Sequence, residues 1–278
     1  MSFLVLLLVL WVEKFSALRQ RIQHDGFFLQ ELARLERNRN MAGHPWWVLA
    51  ILVLLPVAVL ALLLMVLAPV AYGWLAFPVH LLVVIYSLGR GDVKAAQGPF
   101  RDAWRRGDEQ AATHVAERDM GLVADNAVQL LERVQGYLLW QAFQSFFAVI
   151  FWYFLLGPAA ALCYRLLALV VEHGHNRAVV ERAEQLRHAF DWAPVRMLTA
   201  SFALVGNFVA VTRVMLHELL NWHISAARLI ENVGRVASEL PPPVTGAEGV
   251  ASLDNLWELL LRSAVLWYAG IALWTVLV

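Results

Sequence analysis

Long apolar runs alternate with polar stretches along the chain, and several of these runs are long enough to cross a membrane. The hydrocarbon core of a bilayer is about 30 Å thick, so a crossing helix needs about 20 consecutive apolar residues. The pattern predicts an all-α, polytopic membrane protein with four clear transmembrane helices, one helical hairpin and amphipathic helices on the cytoplasmic side. The four clear spans are residues 46–68, 74–88, 194–216 and 256–278. A further predicted span, residues 2–18, has an uncharged run that is too short to cross and must therefore include Glu13.

The longest apolar run extends from Tyr137 to Val171 and predicts the hairpin. As one helix it would reach roughly 50 Å, far beyond the thickness of the hydrocarbon core. Gly157 and Pro158 interrupt the run, and a glycine permits a chain reversal while a proline ends the helix before it. The second arm is short and carries Arg165, so a full crossing and a re-entrant arm are both compatible with the sequence.

Three polar stretches separate the apolar runs. The first, residues 19–44, has apolar residues at helix-like spacing, which is typical of an amphipathic helix lying on the membrane face. Those apolar residues are Phe27, Phe28, Leu32 and Leu35. Residues 89–136 predict two or three soluble helices docked on the bundle, and residues 172–193 predict one more helix.

The distribution of charge predicts an orientation in the membrane. Lysine and arginine are concentrated in residues 19–44, 89–136 and 172–193, whereas residues 217–255 are acidic. Cytoplasmic loops carry the excess of basic residues. The three basic stretches are therefore predicted to be cytoplasmic, residues 217–255 periplasmic, the N-terminus periplasmic and the C-terminus cytoplasmic. A hairpin with both ends on the cytoplasmic side makes this alternation consistent.

Composition supports the same class of protein. Of the 278 residues, 60% are hydrophobic and only 16% are charged, against about 25% charged residues in typical soluble domains. The formal net charge is zero, which gives no reason to expect a nucleic-acid partner. The single cysteine, Cys163, excludes an intramolecular disulfide. We treat residues 1–278 as one integral membrane domain, with the lipid bilayer as its first partner.

Two histidine groups were considered as metal ligands. The zinc-protease pattern needs two histidines four residues apart on one helix face, but Asn221 stands four residues after His217. His173 and His175 could form a metal pair, although a solvated helix cap fits their position better. No serine lies in a G-x-S-x-G motif. We therefore predict no catalytic residue, no metal site and no cofactor.

Five polar residues fall at the predicted cytoplasmic edge of the hairpin or of the following span, where they could line one polar recess. They are Arg165, Glu172, His188, Asp191 and Arg196. An arginine early in a helix is well suited to bind a phosphate or carboxylate through two parallel hydrogen bonds. The alternative is that Asp191 and Arg196 cap and tie the start of the helix.

Few polar residues occur within the predicted spans: Glu13, His80 and Asn207. A carboxylate inside a bilayer is costly, so Glu13 should face protein or water, or extend to the interface. His80 is expected to be a buried hydrogen-bonding side chain. Three such residues do not form a continuous polar path, which weakens transport as a function.

Several motifs of the chain resemble those of a known family. They are Phe151-Trp152, Gly157-Pro158, Tyr164-Arg165 and the block from Asp191-Trp192 through Pro194 to Arg196. Together they resemble the AmpE family of membrane proteins, and more distantly the CobD/CbiB cobalamin-biosynthesis family. The AmpE resemblance implies an inner-membrane accessory to β-lactamase induction, and so to antibiotic resistance, beside an enzyme of peptidoglycan recycling.

The CobD/CbiB resemblance implies a different activity, the ATP-dependent formation of an amide. That family carries an E-N-x-x-D-G motif ahead of its F-W pair, but here Trp140, Gln141 and Gln144 occupy the corresponding positions. Uncharged amides bind hard cations such as Mg²⁺ poorly. The first hypothesis is thus a non-catalytic signalling protein that binds an anionic small molecule or a membrane or cytoplasmic protein partner. The alternative is a diverged amide synthase or another membrane-embedded transferase.

Overall fold

The structure is a computed structural model that describes residues 4–8, 23–38, 41, 43–69, 74–89, 92–240 and 246–277. Every regular element in these residues is a helix, which confirms the predicted all-α class. Of the predicted span 2–18, residues 4–8 are described and are helical, whereas Glu13 lies outside the described residues.

The helices are numbered in chain order. They are α1 (Gly26–Arg37), α2 (Pro45–Leu67), α3 (Ala76–Ser87), α4 (Val93–Ala96), α5 (Gly98–Arg105), α6 (Glu109–Val115), α7 (Ala127–Leu156), α8 (Pro158–His173), α9 (Arg177–Val205), α10 (Phe208–Glu218), α11 (Ala226–Ala237) and α12 (Ala247–Leu277). A turn of π-helix follows α6, and α2 and α7 each contain one, at Ala50–Leu54 and Phe143–Phe147.

Within the described residues, three helices are long and apolar enough to cross a membrane: α2, α7 and α12. The prediction of four clear spans is wrong in its count, because the predicted span 74–88 is the shorter apolar helix α3 and the predicted span 194–216 is divided between α9 and α10. The helices α7 and α12 also begin earlier than predicted. Polar residues near their starts bond to each other, since the Gln135 amide donates to the Ser252 hydroxyl at 2.8 Å.

The chain forms two compact units, each described here by itself. The first contains residues 1–88 and 148–191, and the second contains residues 89–147 and 192–278. The helices α7 and α9 each contribute one part to the first unit and the other part to the second.

The predicted hairpin is confirmed at Gly157 and Pro158. Gly157 has a φ of 81° and a ψ of −170°, a conformation essentially restricted to glycine. Pro158 is the first residue of α8, where its missing N–H has no helical partner to lose. The last part of α7, Ala148–Leu156, packs along α8.

The core of the first unit joins α8 to α1, α2 and the first part of α9. Its buried residues include Leu166, Leu167, Leu169 and Val170 of α8. The amphipathic helix α1 contributes Phe28 and Leu32 to this core. Phe27, which was predicted on the same apolar face, is 79% exposed, so the buried face of α1 is narrower than the sequence pattern indicated.

In the second unit, the predicted span 194–216 is a second helical hairpin. The helix α9 ends at Val205, and Asn207 caps α10 by accepting a hydrogen bond from the Ala210 N–H at 3.0 Å. A Cβ on Gly206 would lie 2.6 Å from the Ala237 carbonyl oxygen, so only glycine fits this turn. The chain then returns towards Arg196 after α10, as the contacts described below show. A continuous crossing helix is therefore excluded here.

Candidate functional site

Two polar clusters interrupt the apolar core of the first unit, and both contain residues that the sequence pattern indicates. They arise from neighbouring positions on α8, Tyr164 and Arg165. Consecutive residues on a helix point about 100° apart, so the two side chains reach different partners. We call them the Arg165 cluster (Asp25, Tyr86, Arg165 and Glu172) and the Asp191 cluster (Tyr164, Arg187 and Asp191).

In the Arg165 cluster, one guanidinium faces two carboxylates. Arg165 Nη2 lies 3.7 Å from Asp25 Oδ2, and Arg165 Nη1 lies 3.8 Å from Glu172 Oε2. The Tyr86 hydroxyl donates to the other oxygen of Asp25 at 3.1 Å. The Arg165 side chain is only 10% exposed. Both ion-pair distances exceed the 2.7–2.9 Å typical of a charge-assisted hydrogen bond, so the attraction is electrostatic without tight hydrogen-bond geometry.

The Arg165 cluster connects the start of α1 to α3 and α8. Asp25 immediately precedes α1 and makes no side-chain hydrogen bond to the first turn of that helix. Two residues earlier, the Gln23 amide donates to the carbonyls of Ile85 and Leu88 at the end of α3, at 2.8 and 3.1 Å. The entry into α1 is therefore fixed by polar contacts to two other elements of the unit.

The opposite end of α1 is also fixed by a carboxylate. Glu36 accepts hydrogen bonds from the backbone N–H groups of His175 and Asn176, with Oε1 distances of 3.0 Å to each. These N–H groups belong to the turn between α8 and α9 and precede the first helical residue of α9. A carboxylate is favoured at such a position because helix N-termini carry partial positive charge.

The Asp191 cluster is more deeply buried. The Tyr164 hydroxyl donates to Asp191 Oδ1 at 2.8 Å, and Arg187 Nε lies 3.8 Å from Asp191 Oδ2. Only 4% of Asp191 is exposed. Burial raises the pKa of Asp191 to about 6, although the charge of Arg187 and the hydrogen bond from Tyr164 act in the opposite direction. The carboxyl group is thus sensitive to pH just below neutrality.

The remaining predicted recess residues lie as follows. His188 is partly buried on α9, and its charge favours the ionised form of Asp191. Arg196 belongs to the second unit. Its Nη1 donates to the Trp192 carbonyl at 3.0 Å, its Nη2 to the Asn221 carbonyl at 2.7 Å, and its Nε to the Leu219 carbonyl.

These contacts give Arg196 a structural task. Its guanidinium also lies 4.2 Å from the ring centroid of Trp192. Two of its nitrogens therefore hold the residues that follow α10 against the start of the predicted span, while the third bonds within α9. The structure brings Arg165 and Glu172 together in one cluster and places Asp191 in the other, while Arg196 ties the second hairpin.

The polar residues predicted within spans also have partners. His80 Nδ1 lies 3.2 Å from the Tyr153 hydroxyl. The Asn207 side-chain amide donates to Glu239, and both residues line a cavity of about 310 Å³ together with Asn255 and Arg262. His80 and Asn207 are thus each within hydrogen-bond distance of a side chain in their own unit.

Sequence reasoning missed Asp25, Tyr86, Tyr164 and Arg187 as members of the clusters. An aspartate before an amphipathic helix carries no motif, and its partner Arg165 lies far along the chain. The pair of Arg187 and Asp191 was detectable, because opposite charges at i,i+4 meet on one helix face.

The positions that correspond to the CobD/CbiB motif hold no acidic pair. The Gln144 amide donates to the Gln141 side-chain carbonyl at 2.8 Å. Throughout the part of the chain that the structure describes, no group of three or more His, Cys, Asp or Glu side chains could hold a metal ion. These residues do not fit a Mg²⁺-nucleotide site.

Comparison with known proteins gives consistent matches. A family model described as "Regulatory signalling modulator protein AmpE" matches residues 1–236. The chain is 24% identical over 263 residues to Protein AmpE of Shigella flexneri, covering 89% of each. It is 29% identical over 192 residues to the cobalamin biosynthesis protein CobD of Stutzerimonas stutzeri (strain A1501), covering 63% of this chain and 60% of that protein. No solved structure matches the chain significantly.

Proposed function

The chain belongs to the AmpE family of regulatory signalling modulator proteins, and from this membership we propose that it is an accessory or sensor protein of the bacterial inner membrane. A regulatory role in a membrane agrees with the three helices that are long and apolar enough to cross one. The finer proposal is that the protein contributes to β-lactamase induction and peptidoglycan-recycling signalling by binding an anionic ligand or partner at the Arg165 cluster.

The observation that supports this proposal is the position of Arg165 between two carboxylates from different parts of the chain, at 3.7 and 3.8 Å. A guanidinium can form two parallel hydrogen bonds to one carboxylate or phosphate, at shorter distances than these. An incoming anion could therefore replace Asp25 or Glu172 with better geometry. Because the site is mostly buried, the electrostatic gain would be greater than at an exposed arginine.

Replacement of Asp25 gives a route from ligand to signal. Asp25 links the start of α1 to Arg165 and Tyr86, so its displacement weakens one of the polar attachments of α1. The docked face of α1 includes Phe28 and Leu32, and its release would expose an apolar surface to a partner. A ligand shifts such an equilibrium only by its difference in affinity for the docked and released forms.

A reporter assay tests the regulatory role. We expect Arg165→Gln to change β-lactamase induction in a host with an inducible enzyme, while Arg177→Gln leaves induction unchanged. Arg177 is a suitable control because its side chain is 91% exposed and pairs with Glu181 on the same helix at 2.8 Å. Equal induction by wild type and Arg165→Gln, at equal protein levels in the membrane, would count against the proposal.

The similarity to the protein named CobD supports a second candidate function. In that case the protein would be a diverged ATP-dependent amide synthase or another membrane-embedded transferase. The hydrogen-bonded pair of Gln141 and Gln144 argues against it, since neither amide supplies a negative charge for Mg²⁺. Mg²⁺-dependent ATP turnover by the purified protein that disappears in Arg165→Gln would favour the enzyme. Binding of an anionic ligand without nucleotide turnover would favour the sensor.

A further inference from the structure

Three polar side chains of the second unit lie along one face of α4 and α5. They are Lys94, Gln97 and Arg101, at spacings of three and four residues that share a helix face. The backbone turns continuously through them, because the Gln97 N–H donates to the Lys94 carbonyl at 3.2 Å and the Arg101 N–H to the Gln97 carbonyl at 2.9 Å. The helix α5 packs against α12, which carries Asp254.

One carboxylate oxygen lies between the two cations of this face. Asp254 Oδ1 accepts a hydrogen bond from Arg101 Nη1 at 2.9 Å and lies 3.3 Å from Lys94 Nζ. Two positive charges thus share one negative charge. The Lys94 and Asp254 side chains are each 43% exposed, whereas the Arg101 side chain is 10% exposed. The site therefore has a solvent-facing edge and a buried interior.

The buried interior holds donors that the described part of the chain does not use. Arg101 Nε and Nη2 are buried without a hydrogen-bond partner among the described residues, and so are both side-chain polar atoms of Gln97. Gln97 has no exposed surface. The Nε and Nη2 groups form the parallel edge of a guanidinium that binds two oxygens of one anion. Buried polar groups are almost always hydrogen-bonded, so the three donors among these atoms, Arg101 Nε and Nη2 and Gln97 Nε2, indicate a missing acceptor. The fourth atom, Gln97 Oε1, is itself an acceptor and takes no part in binding an anion.

We propose that Lys94, Gln97 and Arg101 form a phosphate-binding site, with Asp254 as the internal carboxylate that competes for it. Two phosphate oxygens are placed on the Arg101 edge, the Gln97 amide donates to the same group, and Lys94 adds charge at the entrance. The site shares no residue with the Arg165 cluster.

Phosphate of this kind can come from a lipid headgroup or from a free phosphate compound. Two measurements on the full-length protein distinguish them. Thermal unfolding in detergent is followed during titration with inorganic phosphate, and native mass spectrometry measures phosphatidylglycerol retained after delipidation. The variants are Gln97→Met, Arg101→Gln and Asp254→Asn. Arg105→Gln is the control, because Arg105 lies on the same helix and its side chain is 58% exposed.

We expect Gln97→Met and Arg101→Gln to weaken the response to phosphate, or the retention of lipid, by about tenfold or more, as loss of a charge-assisted contact predicts. Asp254→Asn should strengthen it, because the competing negative charge is removed. Arg105→Gln should behave as wild type. A response to inorganic phosphate identifies a free compound, and retained lipid alone identifies a headgroup.

Gln97→Met keeps the proposal testable even if Arg101→Gln fails to fold, since methionine has a similar size and can fill the same buried space. If Gln97→Met is more stable than wild type and shows an unchanged response to phosphate and lipid, the site does not exist. If the wild type shows neither a response to phosphate nor retained lipid, the proposed site is likewise refuted.

Discussion

The buried carboxyl of Asp191 should make the stability of the protein fall as pH rises from 4 to 6. Burial raises its folded-state pKa to about 6 from the ordinary value of 3.8. Between these two values the folded protein binds more protons at this site than the unfolded chain, so the free energy of unfolding decreases with increasing pH. The contribution is fully present below the unfolded pKa and is lost once pH passes the folded pKa.

The size of the effect follows from the shift of about two pKa units. Each unit corresponds to about 1.4 kcal/mol, so ionisation of Asp191 costs the folded state about 3 kcal/mol. Asp191→Asn removes this titration, while the amide oxygen can still accept the hydrogen bond from Tyr164. The difference in unfolding free energy between wild type and Asp191→Asn should therefore fall by about 2 kcal/mol between pH 4 and pH 7, because the unfolded carboxyl is already more than half ionised at pH 4.

The assay is reversible denaturation in detergent across that pH range, with both proteins measured in parallel so that other titrating groups cancel. Glu181→Gln is the control, because its side chain is 54% exposed and pairs on the surface with Arg177. A difference between wild type and Asp191→Asn that does not change with pH would refute the reasoning. A difference of the opposite sign would show that Arg187 dominates over burial.

Other changes test the fold. Gly157→Ala should cost about 1–3 kcal/mol in unfolding free energy measured by denaturation, because the φ of 81° and ψ of −170° suit only glycine. Glu36→Gln should increase hydrogen exchange in α1 by weakening its bonds to two backbone N–H groups, whereas Glu31→Gln, which loses only a surface pair with an arginine on the same helix, should not. Cysteines placed at Gln110 and Asn221, on a background without the native cysteine, should react with a membrane-impermeant reagent from the same side.

Local signals in the sequence predicted the first hairpin but not the second. Gly157 and Pro158 are adjacent and interrupt an apolar run, so the break is readable without knowledge of the fold. Gly206 and Asn207 are a weaker signal, and the need for glycine there comes from the Ala237 carbonyl of another helix. A pattern within one segment cannot reveal a constraint imposed by another.

In the candidate site, too, residues on one segment were predictable from the sequence, whereas contacts between distant segments were not. Arg165 and Glu172 share α8 and were both predicted, whereas Asp25 reaches Arg165 only because α1 docks on α8. Arg196 was predicted as an anion ligand because an arginine early in a predicted span is well placed to bind a phosphate or carboxylate. Its backbone carbonyl partners follow α10 and become neighbours only through the second hairpin.

The second hairpin also bears on which side of the membrane the acidic stretch at residues 217–255 lies. Arg196 binds the carbonyls of Leu219 and Asn221, so the chain returns after α10 to the end from which it entered. Acidic and basic residues of the two stretches then pair directly, Asp254 with Arg101 at 2.9 Å and Arg235 with Glu132 at 2.8 Å.

Ion pairs of this length cannot join opposite faces of a bilayer about 30 Å thick. We therefore propose that residues 217–255 lie on the same side as residues 89–136, and that the C-terminus, after one crossing by α12, lies on the opposite side from these stretches. Acidic residues contribute little to the orientation of membrane segments. The acidity that suggested a periplasmic loop is better explained as the counter-charge of the basic stretch beside it.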